Sequence, residues 1–356
     1  MLKDNFNESI DRYKAFWNHE KIDRSIVILD MAGEYINPMY NGSGYNYQKY
    51  GKDIKCFCQD YIDVWEKRRS VIDDTIPCVS PQYGGAIEPA FFGGEIYWGT
   101  EVASLEPYHP YEGISDYGNI KFNHNNQYYA RVIAETKIVS AMADGRYGVN
   151  YDQTNSITTT LASLIGESYM MDIYDKPDQV KALANRICDL LIQLQTDINE
   201  IIPHPAGGTC HRWLNYWVPG SGLWFSEDDA IMLSPAMYNE FFLELDTKLC
   251  NSCEYPVVHW HTGALHLVDE LLKIDNLKMI QFSFDPNGAD LATVIKECKK
   301  ITEAGKKVLF QMAADKQQVS QILNNLDYNS CMFYFGGLDT IETANNAVKM
   351  VEILGN

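Results

Sequence analysis

The spacing of apolar residues changes period several times along the chain, and each change marks an element. Phe6, Ile10, Tyr13 and Trp17 recur at helical spacing, so an amphipathic helix opens the sequence. Ser25 to Leu29 is a short apolar run that predicts a buried strand ending at Asp30. Ile54, Phe57, Tyr61, Val64 and Trp65 mark a second helix, and Thr75 to Val79 a second strand. From Ser80 to about His124 no period is sustained. The stretch is rich in Gly, Pro, Tyr and Phe, and an irregular segment of that length inside a domain predicts a lid or binding loop. Regular structure resumes with a helix over about Tyr129 to Met142 and a strand at Tyr147 to Asp152. A long helix follows from Pro177 to about Ile202, with Val180, Leu183, Ile187, Leu190, Leu194 and Ile198 on one face.

The second half is more regular. Ser234-Pro235 is a helix start, with Ser as N-cap and Pro at the first helical position. Four apolar strands then alternate with helical periods: PVVHWH, KMIQFSF, KVLFQM and CMFYFG. Strands that are apolar throughout, each followed by a helix, predict a parallel sheet covered by helices. No Gly-rich phosphate loop follows any strand, and the units never pause for a second domain, which disfavours an open doubly wound sheet. The expected fold is therefore a (β/α)8 TIM barrel with an N-terminal helical extension. Residues 1–356 form one domain, in which 80–124 is a lid insertion capping the C-terminal face.

Composition narrows the partners. A formal net charge of −19 argues against nucleic acid and against anionic membranes, which both need a basic surface. No apolar run approaches the roughly 20 residues of a membrane span, and the N-terminus has no signal-type apolar core. Nine scattered cysteines, an odd number, read as reduced thiols, so the cytoplasm is the expected compartment. A homodimer is among the expected assemblies.

In a barrel, polar residues at strand C-termini line the site. Those positions are Asp30, Asp74, Asp152, His211, His259, His261, Asp285, Gln311 and Asp339, set among Trp213, Trp217 and Trp224. His259-Trp260-His261 is the sharpest signal, because residues two apart on a strand share a face. Such a pair is half of a metal site completed by a carboxylate, or else a hydrogen-bonded pair that binds substrate or merely fills space. Glu227-Asp228-Asp229 supplies acids for metal or proton transfer, or complements a helix N-terminus. Asp30 is read as a site residue; Glu34 is read as its neighbour in the site or as a solvated acid. Cys250 and Cys253 form a C-x-x-C, but a strand of about 3.3 Å per residue puts them roughly 20 Å from His259. They read as buried thiols at a helix end.

The segments YKAFWNHEKIDRSIVILDMAGEY, TTTLASLIGESYMMDIYDKPDQVKAL and SEDDAIMLSPAMYNEFF, with the strand–helix series after them, resemble the uroporphyrinogen decarboxylase superfamily over nearly the whole chain. The true decarboxylase has two arginines around the Ala-Gly after its first strand; the matching positions here are Asp30 and Glu34, which would repel a polycarboxylate. The family's last-strand histidine is also replaced, within YFGGLDT. The cobalamin-dependent methyltransferase branch is the nearer resemblance. Its thiol-methylating members hold zinc through a His-x-Cys at the place of His259-Trp260-His261 and a later cysteine, which is absent around Gly336-Gly337.

The resemblance implies methyl transfer between a small methylated substrate and the cobalamin of a separate corrinoid protein, since no stretch here reads as corrinoid-binding. The expected catalytic residues are His259, His261, Asp228 and Asp30. Glu34, Asp74, Trp217, Trp224, Asp285 and Gln311 are the expected substrate contacts, and His259, His261 and Glu227 the expected ligands of a zinc ion. A quaternary ammonium substrate would suit Asp30, Glu34 and the tryptophans. The second expectation is a metal-independent lyase or decarboxylase acting on a small non-porphyrin substrate.

Overall fold

Seven parallel strands form the main sheet in a computed structural model that describes residues 1–38, 50, 53–81, 87–97, 106–107, 109–123, 125–151, 154–166, 168–211 and 213–355. The parallel strands are labelled β1 (Ile26–Met31), β2 (Cys78–Val79), β3 (Gly148–Val149), β4 (Thr154–Asn155), β5 (Gly222–Ser226), β6 (Tyr255–His261), β7 (Met279–Ser283), β8 (Lys307–Met312) and β9 (Cys331–Leu338). Their order in the main sheet is β1-β9-β8-β7-β6-β5-β4, and β2 and β3 form a separate parallel pair. Asp74 N–H donates to Val27 O at 2.7 Å, which ties the segment before β2 to β1, and Asn150 N–H donates to Val79 O at 3.3 Å within the β2/β3 pair. Among the described residues no ladder joins β3 to the far edge of the main sheet.

Alternation along the strands sorts side chains between two cores. Ile26 and Ile28 of β1 belong to an inner cluster with Val257, Met279, Leu309 and Met332. Tyr13 and Trp17 from the helix Phe6–Trp17 close that cluster at the strands' N-terminal end. Val27 and Leu29 face the other way, into the larger cluster under the covering helices. The helices predicted at 54, 129, 177 and 235 are present as Ile54–Arg68, Gln127–Ala143, Pro177–Asn199 and Pro235–Phe241. Ser234 Oγ accepts from Met237 N–H at 3.3 Å, the cap that its sequence position demands.

Residues 80–124 are less irregular than their lack of period suggests. They contain the helix Ile87–Phe91, an antiparallel pair Ile96–Tyr97 with Glu106–Pro107, and a 3-10 turn at Tyr117–Asn119. Elements this short leave no periodicity to read. Phe91 and Phe122 pack edge-on or tilted against Tyr129 at 5.3 and 5.1 Å, which anchors the segment to the helix Gln127–Ala143. Residues 82–86, 98–105, 108 and 124 lie outside the described residues. No helix among the described residues is long and apolar enough to cross a membrane.

Candidate metal and substrate site

All strands of the main sheet run in one direction, so their C-terminal ends share one edge, and the histidines stand there. His259 pairs in register with Ser226 of β5 and Gln281 of β7, and His261 with Ser283. Residues 257, 259 and 261 alternate onto the inner face, while Trp260 turns outward and donates its indole N–H to Ala264 O at 3.0 Å. Asp228 follows β5 by two residues and arrives from the side. Three donor atoms thereby converge. His259 Nε2 lies 3.2 Å from His261 Nε2, and Asp228 Oδ1 lies 3.6 Å from the first and 3.3 Å from the second.

The other face of each imidazole is fixed. His261 Nδ1 lies 2.6 Å from Asp285 Oδ1, and a carboxylate can only accept, so the proton is on Nδ1. His259 Nδ1 contacts Gln281 Oε1. The amide nitrogen of Gln281 donates to Ser283 Oγ at 3.3 Å and Gln311 Oε1 at 3.2 Å, which leaves its oxygen for the imidazole. With Nδ1 of each ring engaged, Nε2 of both rings points at one place. Two acceptors at 3.2 Å repel unless a proton or a cation lies between them.

Electrostatics follow from these neighbours. The hydrogen bond to Asp228 raises the His261 pKa to about 9, with burial opposing and Asp285 adding to the rise. Burial pulls the more enclosed His259 below its ordinary value against the attraction of Asp228. Burial alone would raise Asp228, but hydrogen bonds from His261 and Ser226 and the nearby imidazoles bring it below the usual carboxylate range. Its side chain is 47% exposed, so water screens part of this effect and reaches the convergent point from that side.

A second feature lies beside the pair. A cleft is lined by Asp30, Tyr61, Trp65, Arg68, Trp213 and Tyr334, among others. Trp213 stacks on Trp224 at 5.8 Å, and Trp224 lies 5.4 Å from the His259 ring, so one aromatic wall runs from the cleft to the histidines.

The structure brings His259, His261, Asp228, Asp285, Gln311 and Trp224 into one neighbourhood, and Asp30 into the adjoining cleft. Gln281 was not anticipated. It lies mid-strand in an apolar run, and its only signal was a fully buried amide in register with His259. Four expected residues stand elsewhere. Glu227 turns away from the histidines: it is buried, accepts from Ile157 N–H at 3.2 Å and from Thr158 Oγ1, and sits beside Asp246. Burial and that second acid push Glu227 well above the carboxylate range. The backbone turns after β5 into a 3-10 turn that begins at Asp228, and it is Asp228, not Glu227, that reaches the histidines.

Asp74 is fully buried between Arg12 and Arg24 and accepts from Val27 N–H at 3.0 Å, which makes it a structural anchor at the start of β1. Trp217 is buried in the hairpin Thr209–His211 and Tyr216–Val218, donating its indole N–H to Pro205 O at 2.8 Å, near Tyr13 and not at the mouth. Glu34 is exposed and faces Lys67 at 3.5 Å. His211 is buried against Tyr216, Asp339 is exposed just beyond β9, and Asp152 lies outside the described residues. Cys250 ends the helix Leu243–Cys250 and Cys253 precedes β6, at the opposite end of that strand from the histidines.

No protein-family model and no curated protein sequence matches the chain. Among solved structures, a methyltransferase from Methanosarcina mazei superposes with a TM-score of 0.67, covering 97% of this chain and 98% of that one. The sequences are 12% identical, so the likeness is one of fold.

Proposed function

We propose that the chain is a methyltransferase of the uroporphyrinogen decarboxylase-like kind, moving a methyl group between a small methylated substrate and the cobalamin of a separate corrinoid protein. The observation that carries this reading is the convergence of His259 Nε2, His261 Nε2 and Asp228 Oδ1 at 3.2 to 3.6 Å. Ligands at about 2.0–2.2 Å in a tetrahedron around zinc are roughly 3.3–3.6 Å apart, so the donor set fits that ion. Bound there, zinc would polarise the heteroatom from which the methyl group departs. The chain's own residues do the rest. Asp285 and Gln281 hold the Nδ1 protons and so keep both Nε2 lone pairs directed inward. Trp224 excludes water on the inner side of His259, while Asp228 leaves the outer side open to substrate.

The fold shared with a methyltransferase supports the reading; we further propose that β1, β2, β3 and β5 to β9 close into an eight-stranded barrel. The hydrogen bonds from Asp74 to Val27 and from Asn150 to Val79 already follow that path.

One observation favours a second reading. A proton can bridge the same atoms, and His261, raised to about 9, would carry it at neutral pH. An imidazolium donating from Nε2 is the general acid of a metal-independent lyase or decarboxylase. Metal analysis of the purified protein separates the two. Near-stoichiometric zinc, lost in His259→Ala, His261→Ala and Asp228→Ala together with methylation of cob(I)alamin, is expected. Full methyl transfer in both histidine variants would overturn the proposal, and a metal-free protein with lyase activity would install the second.

A further inference from the structure

We propose that the cleft beside Asp30 binds a small N-methylated zwitterion, an ammonium carboxylate of the betaine class. Its role as methyl donor rests on the reaction proposed above; its existence as a binding site rests on the cleft. Asp30 follows Ile26 and Ile28 onto the inner face of β1. It is exposed to the cleft, and among the described residues no cation or hydrogen-bond donor meets its carboxylate. The other acids nearby are engaged: Glu34 with Lys67, Asp73 with Lys3 and Arg68, Asp74 with Arg12 and Arg24. Around Asp30 stand the rings of Tyr61, Trp65, Trp213 and Tyr334. A carboxylate set among aromatic faces is the environment that a methylated ammonium selects, because it has few or no N–H groups to donate and is held by charge and cation–π contact.

The opposite charge is met by Arg68. Its Nη2 donates to Asp73 Oδ2 at 2.8 Å and to Leu29 O at 3.2 Å, and its guanidinium covers the Trp65 ring at 4.3 Å. Nε of the same residue is buried and, among the described residues, meets no acceptor. A buried N–H of a charged group left without an acceptor is costly, and a ligand carboxylate would satisfy it. Asn215 Oδ1, likewise buried and without a donor among the described residues, adds a partial negative charge to the cleft. A simple cation would satisfy Asp30 and leave Arg68; a simple anion would face Asp30 and a chain of net charge −19. A zwitterion meets both ends, and the Trp213–Trp224 wall leads from it to His259.

The test is equilibrium binding to the full chain by calorimetry and tryptophan fluorescence, with trimethylglycine, choline and acetate as probes. Trimethylglycine is expected to bind saturably, and choline and acetate at least about tenfold more weakly, each lacking one charged end. Asp30→Asn and Trp213→Leu should each weaken trimethylglycine about tenfold, with circular dichroism confirming that both variants are folded. Arg68 is probed through the ligand, since choline lacks only the carboxylate. Absence of saturable binding, equal binding by Asp30→Asn, or choline binding as tightly as trimethylglycine would each overturn the inference. If trimethylglycine binds but passes no methyl group to cob(I)alamin, the site stands and the proposed reaction fails. If another donor passes its methyl group and trimethylglycine does not bind, the reaction stands and the site fails.

Discussion

Asp74→Asn separates a structural acid from a substrate contact. The Asp74 carboxylate is fully buried, ion-pairs with Arg12 and Arg24, and accepts the Val27 amide at 3.0 Å. Asparagine keeps the shape but removes the charge, leaving the Arg24 guanidinium, itself 5% exposed, without its counter-ion. Breaking a buried pair from one side costs about 3–5 kcal/mol. At about 2.1 cal/mol/K per residue, a chain of 356 residues has an unfolding entropy near 0.75 kcal/mol/K, so the melting temperature should fall by roughly 4–7 °C. Urea titration and calorimetry measure this directly. The pH dependence has a definite sign. Burial would raise the Asp74 pKa, but Arg24 and then Arg12 outweigh it and bring the folded value below the unfolded one. Its contribution is therefore present above the unfolded value of about 3.9 and lost as pH falls through the folded one. The stability gap between wild type and variant should be constant near neutrality and close in acid. A variant with unchanged melting temperature but weakened substrate binding would refute the structural assignment.

Asp228→Asn should abolish binding of the proposed zinc, whereas Glu227→Gln should retain it and unfold within about 1 kcal/mol of wild type, because the Gln carbonyl can still accept from Ile157 N–H and Thr158 Oγ1; elemental analysis and thermal unfolding check both. Asp285→Asn should weaken zinc about 10- to 100-fold while leaving the three donors in place, as measured by competition with a chelating dye. Gly222→Ala should destabilise the chain by about 1–3 kcal/mol in urea, since its Cβ would collide with His211 Nε2 and lie 2.7 Å from Val218 Cγ2.

The parts of the fold written in periodicity were legible. The strands from residue 255 onward and the helix Pro177–Asn199 fell where their apolar residues placed them, because each is long enough to show its period. β2 and β3 shrank to two residues each, since the apolar run specifies burial and not ladder pairing. At the site, the spacing of His259 and His261 revealed a shared face, and strand order revealed Asp285 and Gln311. Choosing Asp228 over Glu227 needed the backbone turn after β5, which residue identity does not encode. Asp74 and Trp217 misled for a common reason: an acid or indole near a strand reads alike at either end. Only the partners, Arg12 and Arg24 for one and Pro205 for the other, show which end it occupies.

The donor set also determines what can poison the site. Its three converging atoms are two imidazole nitrogens and a carboxylate oxygen, with no sulfur among them. Cys58, Cys188, Cys250, Cys253, Cys298 and Cys331 are buried, and burial holds each thiol above its ordinary pKa, so little reactive thiolate exists at neutral pH. Peroxide and alkylating reagents attack thiolates first. The proposed centre, built on nitrogen and oxygen, gives them no first target, so activity should survive treatment with iodoacetamide that would silence a thiolate-ligated counterpart.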